Sequence, residues 1–203
     1  MVKKILAVVV ISASCLIADP VSLIEAQDYW QYAVLETDLD PIWASVDYST
    51  IDFNSISSWQ TGQAAFVENL DFPERHTIWT PGQDMAFQKE ITLNGTLSGD
   101  LSLDLALDNG AVVFINGTQV FKDYAEGNTW YWEYTNPVSS SLFHQGTNII
   151  QILAADNGGC TYFDCRLTGD ITPQAVPEPA SAGMLVLGLG LLAGCLRLRN
   201  RKP

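Results

Sequence analysis

Basic residues are scarce in this chain. Its 203 residues include 10 Lys and Arg against 23 Asp and Glu. Six of the ten basic residues lie near the two ends, so residues 27–173 keep four against 20 carboxylates, a net charge of −16. A surface this acidic repels phosphate backbones and anionic lipid headgroups. We therefore expect no nucleic-acid partner, whereas neutral sugars and divalent cations are compatible with the composition.

Recognisable catalytic motifs are missing as well. The chain has two histidines, His76 and His144, without metal-pair spacing, and it has neither a Gly-x-Ser-x-Gly sequence nor a phosphate-binding glycine loop. A carboxylate pair for glycoside hydrolysis depends on a separation in space, which a sequence does not give. We expect a protein that is not an enzyme and assign no catalytic residue, with a small glycan-active enzyme as an alternative.

A three-part tail occupies residues 174–203. Its parts are Pro177-Glu178-Pro179, an uncharged run over residues 180–196, and a basic cluster over 197–202 with Arg197, Arg199 and Arg201. As a helix, the uncharged run would extend roughly 25 Å, near the short limit for crossing a bilayer core. We predict a single transmembrane helix there, with the basic cluster on the cytoplasmic side and the body of the protein opposite.

This tail resembles the PEP-CTERM sorting signal of exported proteins from Gram-negative bacteria. The resemblance implies processing by an exosortase-type membrane protease in an organism that makes extracellular polysaccharide. It also implies a location in the cell envelope or extracellular matrix, with transient or permanent anchoring by the C-terminal helix. A plain membrane anchor without sorting is the alternative.

Residues 1–26 have the parts of a secretory signal peptide. Two lysines precede an apolar run over residues 5–18. Ala26 is the expected cleavage site and Ala18 is the alternative.

The remaining residues, 27–173, are enough for one domain with a sizeable core. They contain two cysteines, Cys160 and Cys165. Because exported domains commonly form disulfides, we predict that these two close a small loop, with free thiols as the next alternative and a metal site last.

Short strands and tight turns dominate the pattern of this domain. Leu101, Leu103, Leu105 and Leu107 alternate with other residues at the period of a strand. Asn-Gly pairs at 94–95, 109–110 and 116–117 predict tight hairpin turns, and hence a meander from Leu101 onward. The pattern predicts an all-β fold, an antiparallel sandwich, and specifically a jelly roll. The predicted strands are 32–36, 64–67, 77–80, 84–93, 101–107, 111–115, 118–122, 147–155 and 162–168.

Residues 100–170 resemble the galactose-binding-domain-like jelly rolls. The resemblance is carried by DLALDNGAVVFINGT at 104–118, GTNIIQILAAD at 146–156 and YFD at 162–164. It implies a β-sandwich module of the non-catalytic kind found beside glycoside hydrolases and in bacterial surface proteins. It also implies a structural calcium, but it transfers no sugar-contacting residue.

An aromatic run follows residue 122 as a carbohydrate-binding candidate: Trp130, Tyr131, Trp132 and Tyr134. Aromatic faces stack on the apolar faces of sugar rings, while nearby carboxylates and amides bind hydroxyl groups. Strand-like alternation would place Trp130 and Trp132 on one face and Tyr131 on the other, so packing beneath the loop is the competing interpretation.

Oxygen-bearing residues at strand ends and turns form the candidate calcium site: Asp108, Asn109, Asp156 and Asp164. Carboxylates and carbonyls are the ligands that calcium prefers. The same residue types also form ordinary turns, which is the alternative.

Together these features predict a non-catalytic surface or matrix protein, sorted by its tail and associated with exopolysaccharide. A carbohydrate-binding module with a defined glycan ligand is the alternative.

Overall fold

The computed structural model describes residues 19–36, 39, 52–68, 75–123 and 132–173. These residues form strands and two short 3₁₀ turns, Phe53–Ser55 and Ser140–Leu142, and none of them lies in an α-helix. Within these ranges no helix has the length and apolar character needed to cross a membrane. The helix predicted over 180–196 lies outside the described residues. The chain divides into two compact units, residues 1–173 and 174–203.

The described strands of the first unit form two sheets that share one core. Their pairings are antiparallel except for the parallel pair β4 and β5. The predicted all-β antiparallel sandwich is therefore confirmed. Sheet 1 contains β1 (Asp19–Ile24), β4 (Phe66–Val67), β5 (Thr77–Ile78), β7 (Gly95–Leu97), β8 (Leu101–Asp108), β11 (Tyr134–Val138) and β13 (Tyr162–Pro173). Sheet 2 contains β2 (Tyr29–Val34), β3 (Gln60–Gln63), β6 (Met85–Leu93), β9 (Gly110–Ile115), β10 (Thr118–Asp123) and β12 (Gly146–Ala155).

Sheet 1 runs in the order β11-β8-β13-β4-β5, with β1 and β7 also paired to the long strand β13. Sheet 2 runs in the order β10-β9-β12-β6-β2-β3. The four alternating leucines of β8 are buried as predicted and face side chains of sheet 2. At the centre, the rings of Phe87 and Phe163 stack with centroids 4.1 Å apart, and Trp30 meets Phe163 edge-on at 5.6 Å. These large aromatic contacts join the two sheets.

A second, smaller core covers part of the outer face of sheet 2. The outward side chains of β9 and β12, including Phe114 and Leu153, pack with Leu39 and Phe53. The Phe53 and Phe114 rings lie 6.1 Å apart, edge to face. As a result β9 is buried on both faces, which explains why its sequence is apolar throughout. Elsewhere on this outer face, Thr61 and Gln31 are exposed, and Gln88 and Gln151 are partly exposed.

The three Asn-Gly pairs do not all form hairpin turns. The pair Asn116-Gly117 does, with φ angles of 49° and 79°, and it joins β9 to β10. The pairs at 94–95 and 109–110 instead mark crossings between sheets, because β6 and β9 belong to sheet 2 while β7 and β8 belong to sheet 1. The predicted meander from Leu101 is therefore wrong at the connection from β8 to β9.

Gly95 has a packing role rather than a turn role. It begins β7 opposite Pro173, and a Cβ atom there would lie 2.7 Å from the carbonyl oxygen of Thr172. Only glycine allows β13 to approach this closely.

Strand β1 lies inside the segment that the sequence assigns to a signal peptide. It pairs with β13 from Asp19 opposite Ile171 to Ile24 opposite Leu167, and the Ile24 side chain is fully buried in the main core. Cleavage after Ala26 would remove this strand from the sheet, whereas cleavage after Ala18 would leave it intact.

Candidate functional site

Trp132 and Arg166 form a patch on the outer face of sheet 1. Arg166 lies on β13 between Cys165 and Leu167, whose side chains enter the core, so its own side chain faces outward. The register places it opposite Asp104 on β8, and its Nε donates to Asp104 Oδ2 at 2.7 Å. The guanidinium carbon lies 4.7 Å from the centroid of the Trp132 ring. A cation is thus held between a carboxylate and an aromatic ring.

Asp104 is the buried anchor of this patch. Burial raises the pKa of its carboxyl, but hydrogen bonds from Arg166, Thr135 and Ser102, together with the Arg166 charge, outweigh that effect and lower the pKa below its ordinary value. Ser102 Oγ donates to Asp104 Oδ1 at 3.0 Å. Arg166 remains about two-fifths exposed, and Trp132 is partly exposed. The patch therefore has a fixed polar base and an accessible upper surface.

Tyr134 packs against the core of the sandwich. It faces inward on β11, and its ring centroid lies 5.2 Å from that of Phe121. Burial, a hydrogen bond to Asp123, and the charges of Asp123 and Glu133 raise the pKa of its hydroxyl. Of the four aromatic candidates, Trp132 is on the surface and Tyr134 packs at the core edge. Trp130 and Tyr131 lie outside the described residues.

The residues of the predicted calcium site serve as acceptors for backbone N–H groups. Asp164 accepts from Gln27 N at 3.1 Å with both oxygens and from Cys165 N. Asp156 Oδ2 accepts from Gly158 N and Gly82 N. Asn109 Oδ1 accepts from Asn157 N at 2.8 Å. The described part of the chain contains no group of three or more His, Cys, Asp or Glu side chains placed to hold a metal. A calcium site at these residues stays a prediction.

Asp108, the fourth member of that set, is an electrostatically unfavourable carboxylate. It is 1% exposed, and its Oδ1 accepts no hydrogen bond from the described residues. Burial, followed by the charges of Asp156 and Glu68, raises its pKa to about 6. Near neutral pH, ionisation of Asp108 therefore opposes folding.

The predicted disulfide between Cys160 and Cys165 is not formed, because both are free thiols. Cys165 points into the core from β13, whereas Cys160 precedes the strand and contacts Glu68. Burial, followed by neighbouring carboxylates, raises the pKa of both thiols.

Lys89 interrupts the apolar residues on the inner face of β6. Its Nζ pairs with Asp28 Oδ2 at 2.9 Å and donates to the Tyr29 carbonyl at 2.7 Å. It also lies 5.9 Å from the Trp30 ring centroid. Beside it runs a shallow groove of about 530 Å³ between β1 and the end of β6.

No curated protein matches the chain. Among solved structures, it is similar to a β-glucuronidase from an uncultured Clostridium species, with 8% identity and a TM-score of 0.48 over 81% of this chain and 31% of that one. A β-glucuronidase from Faecalibacterium prausnitzii gives 11% identity and a TM-score of 0.48 over 80% and 33%. A β-D-mannosidase from Dictyoglomus thermophilum gives 14% identity and a TM-score of 0.41 over 68% and 16%. The chain spans about a third or less of each of these proteins.

The C-terminal tail matches a family model. Residues 175–202 match the PEP-CTERM protein-sorting motif, which includes all three parts of the tail identified in the sequence: Pro177-Glu178-Pro179, the uncharged run and the basic cluster. A motif of this kind marks an exported bacterial protein that is processed by an exosortase, a membrane protease. The chain therefore carries a PEP-CTERM sorting tail after its β-sandwich domain.

Proposed function

We propose that this is a non-catalytic protein of the Gram-negative cell envelope or extracellular matrix whose sandwich domain contacts extracellular polysaccharide. The sorting motif supports the export part of the proposal. In this proposal the domain is a jelly roll and the signal peptide is removed on export. The helix over 180–196 anchors the protein before exosortase cleavage.

The observation that carries the polysaccharide part is the Trp132 ring stacked on Arg166. An aromatic ring offers its face to the apolar side of a sugar, and a guanidinium offers several N–H donors to hydroxyl groups. Among the described residues, only Asp104 accepts from Arg166, through Nε. The terminal guanidinium nitrogens are therefore available to a ligand within this part of the structure.

The arrangement is also preorganised. Asp104 is buried and holds Arg166 in place, and Arg166 in turn supports the indole ring. A rigid site loses less conformational entropy when it binds. The exposed side chain of Thr135 lies beside Asp104 in the register and adds a hydroxyl group at the rim.

Binding of the exported protein to the exopolysaccharide of its own organism tests this proposal. Trp132→Ala and Arg166→Gln should each lower the affinity at least tenfold. Trp132→Ala should change the thermal midpoint little because its ring is partly exposed, whereas Arg166→Gln should lower the midpoint because the buried Asp104 carboxylate loses its counter-charge. Ile78→Ala, at an exposed apolar residue on β5, is the matched control and should bind normally.

Unchanged affinity in both site variants would refute the role of this patch. Saturable binding of one defined oligosaccharide would favour a dedicated carbohydrate-binding module. The same mixtures should show no increase in reducing ends, and their appearance would indicate a glycan-active enzyme.

A further inference from the structure

The open part of the outer face of sheet 2 carries a continuous row of polar side chains. The strand registers place one outward residue of each strand side by side. From the edge strand β3 inward, the row reads Thr61, Gln31, Gln88 and Gln151, and it ends where the next residue in register, Phe114, is buried in the second core. At an interstrand spacing of about 4.8 Å, four strands give it a length of roughly 14 Å. We call these residues the glutamine row.

Hydrogen bonds connect the central members of the glutamine row. Gln151 Nε2 donates to Gln88 Oε1 at 2.8 Å, and Gln88 Nε2 donates to Gln31 Oε1 at 3.2 Å. The three amides thus donate in the same direction along the row. The chain of hydrogen bonds ends in the Gln31 amide nitrogen on one side and the Gln151 amide oxygen on the other. Such a chain of amides fixes side chains that are otherwise flexible.

The surroundings of the row are nearly neutral. Side chains two positions away from the row, on the same face of the sheet, are those of Tyr29, Gln63, Glu90 and Ile149. Of these four, Glu90 carries a charge. Within the described part of this face, the residues beside the row are therefore mostly uncharged, although residues 27–173 carry a net charge of −16. Such a face does not favour a charged partner.

Tyr29 adds an exposed aromatic ring to the same face. It lies two residues before Gln31 and is 60% exposed. Its carbonyl accepts from Lys89 Nζ, and its N–H donates to Asp28 Oδ1. The ion pair between Lys89 and Asp28 thus holds the backbone that presents the ring.

We propose that the glutamine row, with Tyr29, binds an extended neutral polysaccharide. Amide groups donate and accept hydrogen bonds as sugar hydroxyls do, the ring supplies a stacking surface, and the low local charge suits an uncharged polymer. This surface is on the opposite sheet from the Trp132 and Arg166 patch and does not depend on it. With both faces occupied, one domain links two glycan chains.

Native gel electrophoresis through polysaccharide tests the proposal with the exported protein purified from cell envelopes. The probes are hydroxyethyl cellulose and dextran as neutral polymers, with polygalacturonate as the anionic comparison. We expect at least one neutral polymer to retard the protein. In that polymer, Gln88→Glu with Gln151→Glu, and separately Tyr29→Ala, should weaken retention at least fivefold. Thr96→Glu, at an exposed residue of sheet 1, controls for added charge, and thermal melts confirm that each variant is folded.

Absence of retardation in both neutral polymers would overturn the proposal, as would equal retention of wild type and the folded row variants. Sedimentation provides a third decisive result. If the wild type is a dimer and the row variants are monomers, the row is a self-association surface and the proposal fails. The Trp132→Ala variant should still be retarded by the neutral polymer, because its glutamine row is intact. Loss of the Trp132 patch is therefore distinguishable from loss of the row.

Discussion

The N-terminal strand gives the sharpest test of where the folded domain begins. Because β1 pairs with β13 at five register positions and buries Ile24 completely, we predict that the signal peptide is cleaved after Ala18 and that the exported protein starts at Asp19. A protein that started at Gln27 would lack the whole strand.

The stability cost can be estimated from one residue. Ile24→Ala removes a fully buried branched side chain and should lower the free energy of unfolding by about 2–5 kcal/mol. Loss of residues 19–26 also removes the strand pairing, so its cost should be on the order of 5 kcal/mol or more, comparable to the entire stability of a marginal domain. Val21→Ala, at a 39% exposed position of the same strand, should cost less than about 1 kcal/mol.

Urea unfolding followed by tryptophan fluorescence measures these differences. With an m value of about 2 kcal/mol per M, a loss of 3 kcal/mol lowers the midpoint by roughly 1.5 M. Intact mass and N-terminal sequencing of the exported protein identify its first residue. A stable exported protein that begins at Gln27, or equal midpoints for Ile24→Ala and Val21→Ala, would refute the reasoning.

Three further predictions concern Asp108, the cysteines and the tail. The pKa of Asp108 is raised to about 6 from an ordinary value of 3.8, so wild-type stability falls as the pH rises from about 4 to 6. Asp108→Asn should therefore be more stable by up to about 3 kcal/mol at pH 8 and show no gain below pH 4. Equal melting differences at both pH values would contradict this. Peptide mapping after alkylation without reductant should find Cys160 and Cys165 both labelled in the unfolded protein, with Cys165 protected in the native one; a linked peptide pair would contradict the structure. Finally, Glu178→Ala or truncation after Pro173 should abolish envelope sorting and leave the melting midpoint unchanged, a prediction that normal surface localisation of the truncated protein would disprove.

The sequence located strands and turns best where the signal is local, as in a strand that alternates between a buried and a less buried face. The alternating leucines located β8, and the Asn116-Gly117 pair located the hairpin between β9 and β10, because both signals depend on neighbours in the chain. The strands that were missed are β1, β3, β7 and β11. These are short or polar, or lie in a segment with a signal-peptide pattern, and their pairing with distant strands determines their conformation.

The candidate site was predictable only in part. The aromatic run drew attention to Trp132, but its contact with Arg166 joins a residue that precedes β11 to a residue of β13, and no local pattern indicates it. The same holds for the glutamine row, whose members come together through the register of four strands. The disulfide prediction failed although the strand over 162–168 was predicted, because Cys165 lies within that strand with its side chain in the core, whereas Cys160 precedes the strand.

The second core also determines which substitutions the domain can accept during evolution. Every position of β9 from Gly110 to Ile115 is buried, so a scan of all substitutions should find intolerance at consecutive residues there. In β11, exposed Thr135 and Pro137 alternate with more buried neighbours, and tolerance should alternate in the same way. New ligand specificities would therefore arise at the open half of sheet 2 or along β11, since the covered half leaves no freely variable side chain on β9.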